Sequence, residues 1–175
     1  KNLKKHNMIF HEKNQGKGGA IKTGYQHATG EIILNQDADL EYNPEDYNEL
    51  IKFFFNNNAN VVYGSRRIKR KNGPLIYLFG GMFLTWLTNK IYGTNLTDML
   101  TGYKLFRTEI IKGLNLEAKG FEIEPEITIK LIKKKIKIYE IPINYEPRRR
   151  KEGKKIGLYD GLKCLITIFK YKLNN

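Results

Sequence analysis

Short apolar runs that break into polar loops, separated by stretches of helical period, restrict what this chain can fold into more than any other feature. Glu31 to Leu34 is apolar and ends in Asn35-Gln36-Asp37-Ala38-Asp39, the pattern of a buried strand emerging into a loop. Asn60 to Tyr63 repeats it and opens into Gly64-Ser65-Arg66-Arg67. Ile136 to Ile143 alternates β-branched and polar residues with Pro142 near its end, which marks an edge strand. Between these runs, Ala20, Ile21, Gly24, Tyr25 and Ala28 share a helical face closed by Gly30. Asn43-Pro44-Glu45-Asp46 starts a second helix through Leu50, Ile51, Phe54 and Phe55. Further helices are expected from about Leu75 to Tyr92, from near Glu124 through Leu131, and over 158–173. Strands alternating with helices predict an α/β fold with a mainly parallel sheet flanked by helices, in a single domain.

Composition narrows the chemistry. Lys and Arg number 31 against 18 Asp and Glu, a formal net charge of +13, so an anionic partner is expected: nucleic acid, an acidic membrane or a phosphorylated small molecule. The single cysteine, Cys164, excludes an internal disulfide and a cysteine zinc site. No run is apolar for the roughly 18 residues that a membrane span needs. Lys1 to His6 is polar and unlike a signal peptide. The chain begins without Met, so a processed, trimmed or incomplete product is expected.

Several segments could carry chemistry. Asp37, Asp39 and Glu41 alternate just past a strand, where open α/β sheets bind ligands. Oxygen donors alone suit a hard ion such as Mg²⁺ or Mn²⁺, held together with substrate phosphates. The same spacing also reads as a solvated acidic loop capping the next helix. Gly16-Lys17-Gly18-Gly19-Ala20 is a glycine-rich turn into a helix and could cradle phosphate, or be an ordinary loop; it is neither a Walker loop nor a dinucleotide fingerprint. Arg66 and Arg67 follow a strand end, as a phosphate clamp would. Asp98 follows a helix as a turn cap does, and Arg148 to Lys155 forms a basic loop. His6, His11 and His27 lack metal-ligand spacing.

Taken in order, these segments resemble the family 2 glycosyltransferases, and within them the dolichol- or polyprenyl-phosphate sugar transferases. The matching pieces are Gly16 to Ala20, Asp37 to Glu41, Gly64 to Arg66 and Leu84 to Asn89. They continue with Leu96 to Arg107, Gly120 to Glu126, Tyr139 to Tyr145, and Arg148 through Gly153 to Ile156. The resemblance implies a nucleotide-diphospho-sugar transferase (GT-A type) fold, incomplete at its N-terminus, with 1–175 a partial catalytic domain. It implies a Mg²⁺ or Mn²⁺ ion, a UDP- or GDP-sugar donor and inverting transfer of one sugar to a lipid phosphate. Asp39 would be the main metal ligand with Asp37 and Glu41 beside it; many relatives carry Gln at the position of Glu41. Lys17 and Gly18 would face donor phosphates, and Arg66 and Arg148 would fork onto phosphates of donor or acceptor. Lys154 and Lys155 would help a loop close. Asp98 would position an acceptor or sugar group, because a lipid phosphate is already a nucleophile and needs no strong base.

Two departures accompany the resemblance. The family's first strand, the next helix and a strand ending in Asp-Asp-Gly-Ser are absent, which predicts an unpaired sheet edge. No basic residue lies between Lys71 and Lys90, where relatives often carry one. At the other end, Leu158, Leu162, Leu165, Ile166 and Phe169 form an apolar stripe near Lys163, Lys170 and Lys172. That pattern suits an amphipathic helix lying on the cytoplasmic face of a membrane, or a core-packing helix. A basic nucleic-acid-binding module is the alternative from charge alone, but no groove-reading or base-stacking motif supports it, and no nucleic acid is expected. A truncated, non-catalytic relative is the other alternative. Oligomeric state is not set by these patterns.

Overall fold

The computed structural model describes residues 7–68, 76–147 and 157–173. Among these described residues four strands form one sheet: β1 (Ile32–Leu34), β2 (Val61–Ser65), β3 (Lys104–Arg107) and β4 (Ile138–Pro142), in the order β1-β3-β2-β4. Within the same described residues six helices accompany them: α1 (Gly16–His27), α2 (Asp46–Asn56), α3 (Ile76–Tyr92), α4 (Thr108–Lys112), α5 (Ile123–Lys133) and α6 (Leu158–Leu173).

The sheet is mixed, which corrects the mainly parallel expectation. β2 and β4 run parallel, with Val61 opposite Ile138, whereas β3 is antiparallel to both β1 and β2. The reason is connectivity. β2 ends at Ser65 and β3 starts at Lys104, paired beside Tyr63, so the excursion through α3 returns to the sheet edge it left. A strand entered from that edge must run the opposite way. β4 lies at one side of the sheet, as Pro142 predicted, and β1 at the other.

Alternation along the strands supplies two cores. Val61, Tyr63 and Phe106 face Tyr25 of α1, Ile111 of α4 and Ile123, Ile127 and Leu131 of α5. Val62, Leu105 and Ile141 face the opposite way, onto Leu50 and Phe54 of α2. β2 is buried along its whole length because both faces are covered. A third cluster joins Leu84 of α3 and Ile129 of α5 to Cys164, Ile168 and Tyr171 of α6.

α5 is therefore wedged between the sheet and α6, and a carboxylate fixes it there. Glu126, fully buried, accepts N–H bonds from Glu117 and Ala118 (both 2.8 Å), the Tyr171 hydroxyl (2.7 Å) and the Lys130 ammonium (2.7 Å). Glu126→Ala strands those donors and is expected to lower the unfolding free energy by about 3 kcal/mol, read from urea denaturation.

Candidate functional site

The residues singled out by sequence converge on one sheet edge, where β1, β2 and β4 end and β3 begins. Asn35 N–H bonds Lys104 O at 3.0 Å and extends the β1–β3 ladder into the acidic loop. Gln36 Oε1 then accepts the hydroxyls of Tyr103 and Tyr47. Leu40 turns the loop with φ +61°, a left-handed conformation uncommon for a branched side chain. Around that turn the Asp39 carboxylate accepts the Glu41 N–H at 3.2 Å and stays partly exposed, whereas Glu41 swings inward and is buried.

Glu41 is secured by the segment after β4. The Tyr145 hydroxyl donates to Glu41 Oε2 at 2.7 Å, and Glu146 N–H bonds Glu41 O at 2.9 Å. Tyr42 bridges Tyr145 through the backbone, and its ring stacks on Tyr103 with centroids 4.5 Å apart.

The three carboxylates expected to share a metal are thus directed to different tasks. Asp37 pairs with Lys17, Asp39 closes a turn, and Glu41 holds Tyr145. Among the described residues no three His, Cys, Asp or Glu side chains stand together as a ready metal cage. Asp37 and Asp39 remain partly exposed oxygen donors in one loop. That donor set fits a hard cation taking one or two carboxylates plus substrate phosphates.

Lys17 lies between two carboxylates, 3.0 Å from Asp37 Oδ2 and 2.9 Å from Glu124 Oε1. Glu124, in the first turn of α5, also pairs with the fully buried Lys104 ammonium, which lies 4.8 Å from the Tyr63 ring centroid. Burial works against the charged form of Glu124, but Lys104 and Lys17 outweigh it and hold the pKa at about 2. Gly102 lets the chain pass close to Asp37: a Cβ there would sit 2.4 Å from Asp37 Oδ2.

The glycine-rich turn has a packing task. Gly16 has φ +76°, and a Cβ on Gly18 would lie 2.6 Å from Ala118 O; Gly19 N–H donates to Lys119 O at 3.2 Å. This turn faces the backbone of 118–120, so the side of Gly18 where a Cβ would stand is filled by another loop.

Arg66 and Asp98 find each other. Asp98 is fully buried and accepts Nε (2.6 Å), a terminal nitrogen (2.7 Å) and the backbone N–H (3.1 Å) of Arg66. Burial would raise the Asp98 pKa, but Arg66 prevails and holds it below the ordinary carboxylate value. Asp98 is enclosed, and its carboxylate is engaged by Arg66. The Tyr145 ring covers the guanidinium with its centroid 5.0 Å away. Below them Glu140 accepts the N–H groups of Thr97 (2.6 Å) and Asp98 (2.9 Å), and burial raises its pKa. Arg148, Lys154 and Lys155 lie outside the described residues.

Sequence reasoning missed Glu124, Glu140, Tyr145, Tyr42 and Lys104. Glu124, Glu140, Tyr145 and Lys104 stood inside motifs that were noticed, but their partners are far away in sequence.

An α/β unit with an acidic loop and a partly buried arginine at one sheet edge is a GT-A type arrangement, and the comparisons agree. Residues 1–114 match the Glycosyl transferase family 2 domain, and the chain belongs to this family. It is 35% identical over 77% of its length to a UDP-N-acetylglucosamine–dolichyl-phosphate N-acetylglucosaminyltransferase of Methanococcus voltae, covering 57% of that protein. It is 27% identical over 94% of its length to a dolichol-phosphate mannosyltransferase of Pyrococcus furiosus, covering 48%. The chain thus spans about half the length of these curated relatives. The fold is shared with glucosyl-3-phosphoglycerate synthase of Mycobacterium tuberculosis, solved with Mn²⁺, uridine diphosphate and glucosyl-3-phosphoglycerate. That match has a TM-score of 0.66 at 17% identity and covers 89% of this chain and 55% of the other.

The depressed Glu124 pKa has a consequence for acid stability. A carboxylate whose folded pKa lies below its unfolded value stabilises the fold above the unfolded pKa, and that contribution is lost as pH falls toward the folded one. Unfolding free energy is therefore expected to drop between pH 4.5 and about 2, with a shallower drop in Glu124→Gln, measured by urea titration at each pH.

Proposed function

We propose that this chain is a partial catalytic domain, residues 1–175, of a metal-dependent, inverting glycosyltransferase. It moves a sugar from a UDP- or GDP-sugar to a polyprenyl or dolichyl phosphate. The observation that carries this is the pair of partly exposed carboxylates, Asp37 and Asp39, at the sheet edge that also holds Arg66. The curated relatives named above are dolichyl-phosphate sugar transferases, which supports a lipid-phosphate acceptor.

Asp39, fixed by its bond from Glu41 N–H, and Asp37, steadied by Lys17, would hold Mg²⁺ or Mn²⁺. The ion supplies neutralisation of the charge that develops on the departing nucleoside diphosphate. Asp98 takes the Arg66 fork and Tyr145 covers its face, so the guanidinium would lend its positive charge to an incoming phosphate from a fixed position. Arg148, Lys154 and Lys155 add positive charge for the same anions. The lipid phosphate attacks as an anion, and no residue here needs to remove a proton.

α6 supports peripheral contact with the cytoplasmic face of a membrane. No helix among the described residues is long and apolar enough to cross one. Cys164, Thr167, Ile168 and Tyr171 face the core, as does partly buried Leu165, which leaves the expected stripe. Leu158, Tyr159, Leu162, Ile166, Phe169 and Leu173 are all exposed and fall within an arc of about 100° on the opposite side. Lys163 borders that arc, as does Lys170, which pairs with Glu117 at 2.7 Å. A helix with one face in the core and an apolar, lysine-edged face outside suits a headgroup boundary.

Asp39→Ala in the full-length protein is expected to reduce sugar transfer about a hundredfold or more, judged from radiolabelled sugar appearing in lipid; unchanged transfer would refute the assignment. Leu162→Glu/Ile166→Glu is expected to weaken sedimentation with phosphatidylglycerol vesicles roughly tenfold or more, because each change removes buried apolar area and adds a charge of the wrong sign.

A further inference from the structure

Lys17 is unusual among the cations at this edge because it is shared. Its ammonium lies almost midway between an outer carboxylate, Asp37, and an inner one, Glu124. The two differ in access: the Asp37 side chain is 31% exposed and the Glu124 side chain 4%. Further partners lie on the inner side. The Phe121 ring centroid is 5.6 Å from the Lys17 ammonium, and Glu124 is itself steadied by Lys104. Gly102 leaves the room that the Asp37 carboxylate occupies, since a Cβ there would lie 2.4 Å from Asp37 Oδ2.

We infer that Lys17 is an internal counter-cation that occupies the inner side of Asp37 until a divalent cation arrives and then falls back wholly onto Glu124. The inference rests on the proposal above that Asp37 lies beside the metal. A second cation at Asp37 repels an ammonium only 3.0 Å from the same carboxylate. Glu124 provides the place where that ammonium remains neutralised, so the displacement strands no buried charge. Without Lys17, Asp37 would lose the ammonium that faces it before metal binding. Glu124 is in this scheme a positioning residue: it touches neither metal nor substrate, and sets how firmly Lys17 competes for Asp37.

The test is Mn²⁺ binding, with the metal alone as probe, to the full-length protein, followed by the electron paramagnetic resonance of free Mn²⁺. Lys17→Met removes the competitor and is expected to bind Mn²⁺ about tenfold more tightly. Glu124→Gln leaves Lys17 with Asp37 as its sole carboxylate among the described residues and is expected to bind about tenfold more weakly. The opposite signs separate this role from general damage, which would weaken both. Should Glu124→Gln fail to fold, Lys17→Met decides alone, and its melting temperature should rise more on adding Mn²⁺ than that of the unaltered protein. Unchanged or weakened binding in Lys17→Met, with Mn²⁺ binding intact in the unaltered protein, overturns the proposal alone. No Mn²⁺ binding by the unaltered protein overturns the metal assignment and this inference together.

Discussion

The chain of charges Asp37–Lys17–Glu124–Lys104, buried at its Glu124–Lys104 end, is the constraint on which the edge of this sheet depends. It ties the loop after β1, the first turn of α1, the start of β3 and the first turn of α5 into one unit. Lys104 is fully enclosed, which is tolerable only because Glu124 meets it. Such a network adds little net stability over an apolar core, but removing one member strands the next. Its value here is positional: it fixes a partly exposed aspartate against the rest of the fold.

A second ion pair, with its carboxylate buried, works at the same edge by a parallel logic. Asp98 takes three hydrogen bonds from Arg66, while Glu140 holds the backbone on which Asp98 sits. Tyr145 joins the layers, because its ring covers Arg66 and its hydroxyl binds Glu41. Arg66 is therefore held in one orientation by its neighbours, as electrostatic preorganisation requires.

Much of this was legible in the chain. The β1 and β2 runs, the Asn43-Pro44 start of α2 and the amphipathic period of α6 follow from local pattern, and the structure places each within a few residues of its expected bounds. β3 was not legible: four residues beginning with lysine and ending with arginine do not read as a buried strand. It is one because Glu124 and Tyr63 accommodate the Lys104 ammonium. Its position between β1 and β2 also changed the sheet from mainly parallel to mixed.

The sequence by itself determined the α/β order, the acidic loop at a strand end, the strong positive charge and the family. Those properties depend on periods and motifs read over a few neighbouring residues. Tertiary structure alone decided which charges meet. Arg66 and Asp98 are 32 residues apart and Glu41 and Tyr145 are 104 apart, so no local spacing could reveal that Asp98 is enclosed or that Glu41 turns inward. Carboxylates that look equivalent in a motif are distinguished by what the fold brings to each: an ammonium to Asp37, a backbone N–H to Asp39 and a tyrosine hydroxyl to Glu41.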